Sequence, residues 1–347
     1  MTFIDNARIR LGEPGELVEV VPYLLGFHPV ESLVLVALAA VAGEPPGGRG
    51  EVQLACRVDL PDGALNPADL APLMQAAERS GAQSLVALIF TATDAPARVA
   101  GVLEGAADAV RGAAIVAGLM LLDVLVVDEC SWRSLECRIS SCCPPGGTPR
   151  THRASRVAAE ATFAGLVALP DRSDLAAQLV GLSPLKRDRL LPQIDSAENR
   201  ITHAALTNCL GRTLARDARA LVKAAQNASV QTGSGAGLTA RQVARYGVAL
   251  ADIGVRDGVW LAVDDRTLDC GALMLQLLRR LGAPYDAAPL FLFGWQQWRE
   301  ANGTLSAMAA EQALESNPGY SAARLLLQAV RGGLDPRSTA PLRSPTQ

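Results

Sequence analysis

At 347 residues the chain is longer than one hydrophobic core usually holds, which predicts two domains or one domain with a large extension. Hydrophobic residues make up 49% and charged residues only 19%, so intrinsic disorder is excluded as the default and a sizeable core is expected. The net charge of −3 hides an asymmetry: residues 1–130 carry 7 basic and 17 acidic side chains (−10), and residues 172–245 carry 11 and 5 (+6).

Opposite charge on two segments lets them attract each other or gives the basic one an acidic partner, and complementary packing within one molecule or dimer is the simpler reading. Met1 is followed by Asp5, Arg8 and Arg10 without an apolar stretch, so a cleaved export signal is not expected and the cytoplasm is the expected compartment. The most apolar runs, 33–43 and 113–127, fall short of the roughly 20 residues that span a membrane. Seven cysteines, an odd number, point to reduced thiols rather than a disulfide framework. Arginine stands almost everywhere for lysine, which remains only at Lys186 and Lys223; we read that as a mark of base composition in the genome.

In chain order, residues 32–39 are rich in Val and Leu and predict a buried strand, the Gly/Pro stretch 43–50 a turn or flexible loop, and 52–58 a second strand. Residues 67–79 have helical spacing, with Asn66 as N-cap before a proline at the first helical position. Residues 84–91 predict a strand, 95–111 a helix capped by Asp94, and 121–127 a further buried strand. Strands alternating with helical crossovers imply a largely parallel sheet covered by helices. Cys130–Pro149 then forms a hairpin dense in cysteine, anchored by Trp132.

From about residue 152 the pattern is helical. Residues 197–226 predict one long helix with Leu206, Leu210, Leu214, Leu221 and Ala225 on its buried side and Arg212, Arg216, Arg219 and Lys223 opposite. Residues 233–237 make a small linker, after which Thr239 caps a further helix. The last hundred residues predict helical hairpins: Phe291, Trp295 and Trp298 share one stripe, and Tyr320, Ala323, Leu327 and Val330 another. Gly294, Ala313 and Pro318 sit at the offsets of a tetratricopeptide unit. The fold class expected is therefore α/β: a small, mostly parallel sheet with covering helices at 1–150, then an all-helical domain at 151–335 with a tetratricopeptide-like C-terminal hairpin, and a disordered tail at 336–347.

Four segments together are familiar: VPYLLGFHPVESLVLVAL at 21–38, CRVDLP at 56–61, WRSLEC with CCPPGGTP within 132–149, and FGWQQWREANGTLSAMAAEQALESNPGYSAARLL at 293–326. In this order and spacing the chain resembles the actinobacterial Domain of Unknown Function 4192 family over nearly its whole length. The resemblance implies an intracellular actinobacterial protein and brings no activity, substrate or cofactor with it. His28 stands where the resemblance leads us to expect arginine, which argues against a ligand or base there.

Three constellations could carry chemistry. Cys130, Cys137, Cys142 and Cys143, with His152 nine residues on, have ligand types that suit zinc. The paired CxxC knuckles of strong zinc sites are absent from the sequence, and adjacent side chains on an extended backbone diverge. A Cys137–Cys142 redox pair favoured by Arg133 or Arg138, or small thiols packed around Trp132, are the alternatives. Overall no cofactor is expected, and zinc is the one the thiols would suit.

The second constellation follows from topology. If the strands at 52–58, 84–91 and 121–127 are parallel, Asp59, Asp94, Asp128 and Glu129 follow strand ends along one edge, where α/β sheets bind ligands and where carboxylates could hold a divalent cation. The structural alternative assigns Asp59 to a turn, Asp94 to a cap and Asp128 to a hairpin. The third is the Arg212/Arg216/Arg219/Lys223 face, which could contact phosphates. A pI near 5.7 and the lack of a recognition motif argue against nucleic acid. The leading expectation is a non-enzymatic protein-binding or regulatory module that meets a protein partner or self-associates, with no membrane. A ligand- or metal-dependent enzyme using the carboxylate edge beside the thiol hairpin is the alternative, and a nucleic-acid binder the second.

Overall fold

The computed structural model describes residues 13–40, 50–61, 63–92, 96–144, 146–150, 155–179, 188–230, 237–336 and 339–342. Asp94, His152, most of the 43–50 loop and of the 233–237 linker, and residues 343–347 lie outside them. The chain divides into two compact units, residues 1–175 with 331–335, and residues 176–330 with 336–347.

The first unit opens with helix α1 (Pro14–Leu25). The sequence pattern did not announce it, because Pro22 inside it reads as a breaker and its residues 17–22 are buried all round. Proline at the N-terminus and Gly26 at φ 85, whose N–H donates to Pro22 O, delimit it. Strands β1 (Ser32–Ala40) and β2 (Gly50–Asp59) follow, then a 3-10 turn at Pro67–Leu70, α2 (Ala71–Arg79), β3 (Ser84–Phe90), α3 (Pro96–Ala117) and β4 (Met120–Val127). Strands β5 (Ser131–Ser134) and β6 (Thr148–Pro149) and helix α4 (Arg156–Phe163) complete it, and helix α5 (Arg172–Ala177) spans its end at Leu175.

The strand order is β2-β1-β3-β4-β5-β6. Every pairing is antiparallel except β3 with β4, so the mostly parallel sheet expected from the alternation is corrected to a mixed, mostly antiparallel one. The reason lies in the connections. Only nine residues separate β1 from β2, fewer than the dozen or so a parallel crossover needs, and the two pair as antiparallel neighbours, whereas β3-α3-β4 has the helical crossover that a parallel pair requires. Because β1 inserts between β2 and β3 and opposes both, β2, β3 and β4 still run the same way. Their ends meet one edge: Ser32 lies opposite both Asp59 and Phe90, and Phe90 opposite Val127. Residues 32–37 of the central β1 are all buried, which explains its unbroken apolar run.

The second unit is helical: α6 (Leu191–Leu206), α7 (Leu210–Val230), α8 (Ala240–Leu250), α9 (Ile253–Asp264), α10 (Gly271–Leu278), α11 (Ala287–Arg299), α12 (Gly303–Ser316) and α13 (Ser321–Arg331). The single helix expected over 197–226 is two. The chain breaks at Asn208, which takes a left-handed φ of 55, and Leu206, expected on the buried stripe, is 83% exposed. Leu221 and Ala225 are fully buried, so the stripe holds within α7. Thr239 caps α8 with Gln242: Thr239 Oγ1 accepts the Gln242 N–H at 3.3 Å, and Gln242 Oε1 accepts the Thr239 N–H at 2.9 Å.

Asp217 on α7 is fully buried and paired with Arg200 of α6 and Arg245 of α8, the latter through Nε at 2.7 Å, so one carboxylate ties three helices. The aromatic core gathers Phe291, Trp260 and Trp295, with ring centroids 4.9 Å apart for Trp260–Phe291 and 5.0 Å for Trp260–Trp295. Trp295 and Trp298 are buried. Within the stretch 336–347, the described residues 336 and 339–342 make contacts in this unit. Buried Arg299 donates to the carbonyls of Pro336 (2.7 Å) and Thr339 (3.0 Å), and Asp264 accepts the Leu342 N–H at 2.5 Å. No helix among the described residues is long and apolar enough to cross a membrane.

Candidate functional site

The edge where β3 and β4 end is the floor of a concave cavity of about 650 Å³, lined by α1 (Glu19, Tyr23), the turn after it (His28, Pro29, Val30), the strand ends (Phe90, Val127) and Asp128, Glu129 and Arg150 around the hairpin. All of these belong to the first unit. Glu19 points inward from a run of valines and is 8% exposed. Its Oε1 lies 3.6 Å from Arg150 Nε, an ion pair with no hydrogen bond from that Nε. Arg150 also donates through Nη1 to Asp128 O at 3.0 Å. Two charges taken out of water with loose pairing carry a desolvation penalty that mutual attraction only partly offsets, so the arrangement is no simple stabiliser.

Asp128 lines the cavity but its carboxylate is spent on the hairpin. Oδ1 accepts the N–H groups of Cys130 (2.8 Å) and Ser131 (2.7 Å), and Oδ2 accepts the Ser131 hydroxyl at 2.9 Å. This is the turn role that its position after a strand suggests. Glu129 is exposed at the rim. Asp59 shares the edge but not the cavity: it is exposed and paired with Arg57 at 2.5 Å. Asp59 is three strand positions from Val127 along the order β2-β1-β3-β4, about 14 Å at the usual strand spacing. Asp59, Asp128 and Glu129 therefore do not gather as ligands of one cation, and Asp94 lies outside the described residues.

The thiols behave differently. Cys137, Cys142 and Cys143 bring their Sγ atoms within 4.8 Å of one another, and Cys130 is not among them. All seven cysteines are free thiols. The trio belongs to the excursion between β5 and β6, beside Asp123 rather than Asp128, which places it about 13 Å of strand back from the edge. None of the three lines the cavity, so the thiol hairpin and the carboxylate edge, expected side by side, are separate sites. The basic residues Arg212, Arg216, Arg219 and Lys223 form an exposed face of α7, and Arg219 and Lys223 flank a shallow groove floored by Val222, Val255 and Val259.

A family model described as Domain of unknown function (DUF4192) matches residues 14–337. The chain belongs to that family. No curated protein matches the chain, and no solved structure does.

In this DUF4192 chain the cavity residues that sequence reasoning missed are Glu19, Tyr23 and Arg150. A glutamate among valines at Val18–Val21 was a usable signal, since a charge on an otherwise apolar helix face is buried with a partner. Nothing in the pattern paired it with Arg150, far along the chain.

Proposed function

We propose that the protein binds a small polar ligand in the cavity at the β3/β4 edge. The observation that supports this most is the loosely paired Glu19 and Arg150 in a concave site at the ends of codirectional strands, where α/β sheets take their ligands. Glu19, Asp128 and Glu129 against one guanidinium make the lining acidic, which favours an amine-bearing or hydroxyl-rich molecule over a phosphate. A thermal-shift screen with amines, polyols and phosphates tests it. Amines or polyols should raise the unfolding temperature of the wild type and not of Tyr23→Phe/Glu129→Gln, and stabilisation by phosphates alone would sink it.

A second reading is self-association or docking of a protein partner. Ile115, Val116 and Met120, 79%, 88% and 46% exposed, form an apolar patch where α3 meets β4. The tetratricopeptide-like offsets of Gly294, Ala313 and Pro318 add to this reading, since such hairpins present protein-binding surfaces. Light scattering of the wild type and of Ile115→Ser/Val116→Ser separates the two: a dimer that dissociates in the variant supports association, and two identical monomers count against it.

A further inference from the structure

The excursion between β5 and β6 is built to bring three thiols to one point. At its start Ser134 Oγ donates to Asp123 Oδ1 (2.6 Å) and accepts the N–H groups of Glu136 (3.1 Å) and Cys137 (2.8 Å), which fixes the backbone at Cys137. Further on, Ile139 O accepts the N–H groups of both Cys142 (3.0 Å) and Cys143 (2.7 Å). Backbone at 140–143 is turn and bend, not extended, so the side chains of the adjacent cysteines converge where strand geometry would splay them. Cys142 Sγ and Cys143 Sγ are 3.9 Å apart, and Cys137 Sγ completes a triangle with no separation above 4.8 Å. Three sulfurs around one zinc at the usual Zn–S length of about 2.3 Å stand about 3.8 Å apart, so the triangle needs only a slight contraction.

We propose that Cys137, Cys142 and Cys143 form a three-thiolate zinc site, with the fourth tetrahedral position left for water or for a ligand from another molecule. Three soft sulfurs exclude calcium and magnesium, which take oxygen ligands. A disulfide accounts for two of the three convergent thiols and leaves the third without a role. On binding, three S–Zn bonds form and the protons still held by the thiols pass to solvent. The site is exposed, so metal can enter without unfolding, and it is independent of the β3/β4 cavity.

The test uses the full chain, reduced and freed of metal by a chelator, titrated with cobalt as an optical probe and then with zinc in competition. One equivalent of cobalt should give a thiolate-to-metal charge-transfer band that zinc abolishes. Cys142→Ser and Cys143→Ser should each weaken zinc by more than the about 10–100-fold typical of losing an outer-shell partner. Cys130→Ser and Cys209→Ser should leave it unchanged, and affinity should rise with pH as proton release becomes easier. No charge-transfer band in the reduced wild type overturns the proposal, as does a band that survives replacement of all three thiols by serine. Should that triple variant fail to fold by circular dichroism, the cobalt stoichiometry and spectrum of the wild type decide alone.

Discussion

Glu19 and Arg150 face each other across the cavity wall with 3.6 Å between Oε1 and Nε, both nearly buried. Removing one partner leaves the other's charge stranded. Arg150→Met is expected to cost about 3 kcal/mol in urea unfolding of the first unit. Glu19→Gln should cost less, because Arg150 keeps its bond to Asp128 O. The double variant Glu19→Leu/Arg150→Met should recover most of the loss. Strictly additive single effects would show that the two charges do not interact.

Asp217 offers the same logic in the second unit with a different balance. It is fully buried, while Arg200 and Arg245 are about one-third exposed and can turn to water. Asp217→Ala should destabilise by about 3 kcal/mol, and Arg200→Ala or Arg245→Ala by about 1 kcal/mol each, since the remaining guanidinium still neutralises the carboxylate. Equal losses from all three would contradict this asymmetry.

Asp123 and Asp128 titrate in opposite senses. At Asp128 desolvation favours the neutral acid but is outweighed by the N–H groups of Cys130 and Ser131, the Ser131 hydroxyl and the charge of Arg150, so its carboxyl sits below the usual range. A folded pKa below the unfolded one gives stability that is present above about pH 4 and lost as pH falls through the folded value. At Asp123 burial dominates over the bonds from Ser134 and Val124 and pushes the carboxyl up. The folded state then holds that proton more tightly, and its contribution to stability falls as pH rises through the ordinary carboxylate range. Asp128→Asn should therefore flatten the acid limb of the unfolding midpoint, and Asp123→Asn should raise the midpoint at neutral pH relative to its acid value. Coincident profiles for both variants and the wild type would falsify the assignment.

Gly294 on α11 lies where a Cβ would stand 3.2 Å from Ala309 Cβ, Leu326 Cδ2 and Ser306 O, at the close approach to α12 and α13. Gly294→Ala gains helix propensity but overpacks this contact. A net loss of about 1–2 kcal/mol is expected by thermal unfolding, against the gain of up to about 1 kcal/mol that the same change brings at an open helical site. Gly258→Ala on α9, with nothing within 4 Å of its Cβ position, is the control.

The Asp264–Arg299 pair, at 3.1 Å, clamps the C-terminal stretch onto α9 and α11. Arg299→Ala should release it, and hydrogen exchange at the Leu342 amide reads this directly. Protection at Leu342 that survives the substitution would mean Asp264 holds the stretch unaided.

The amino-acid sequence by itself determined where β1 to β4, α2, α3 and the start of α8 lie. Continuous Val/Leu runs mark β1, β3 and β4, helical spacing marks α2, and Thr239 as a cap marks the start of α8, because these signals are local. It did not announce α1, whose buried Glu19 and internal proline break the amphipathic pattern, nor the break at Asn208, where one backbone angle rather than composition ends a helix. Tertiary structure alone decided the strand order. The insertion of β1 between β2 and β3 makes the sheet mostly antiparallel while leaving three strand ends at one edge. It also decided the sites: Glu19 meets Arg150 from far along the chain, and whether Cys137 converges on Cys142 and Cys143, close in sequence, depends on the turn at 140–143, which spacing alone does not fix.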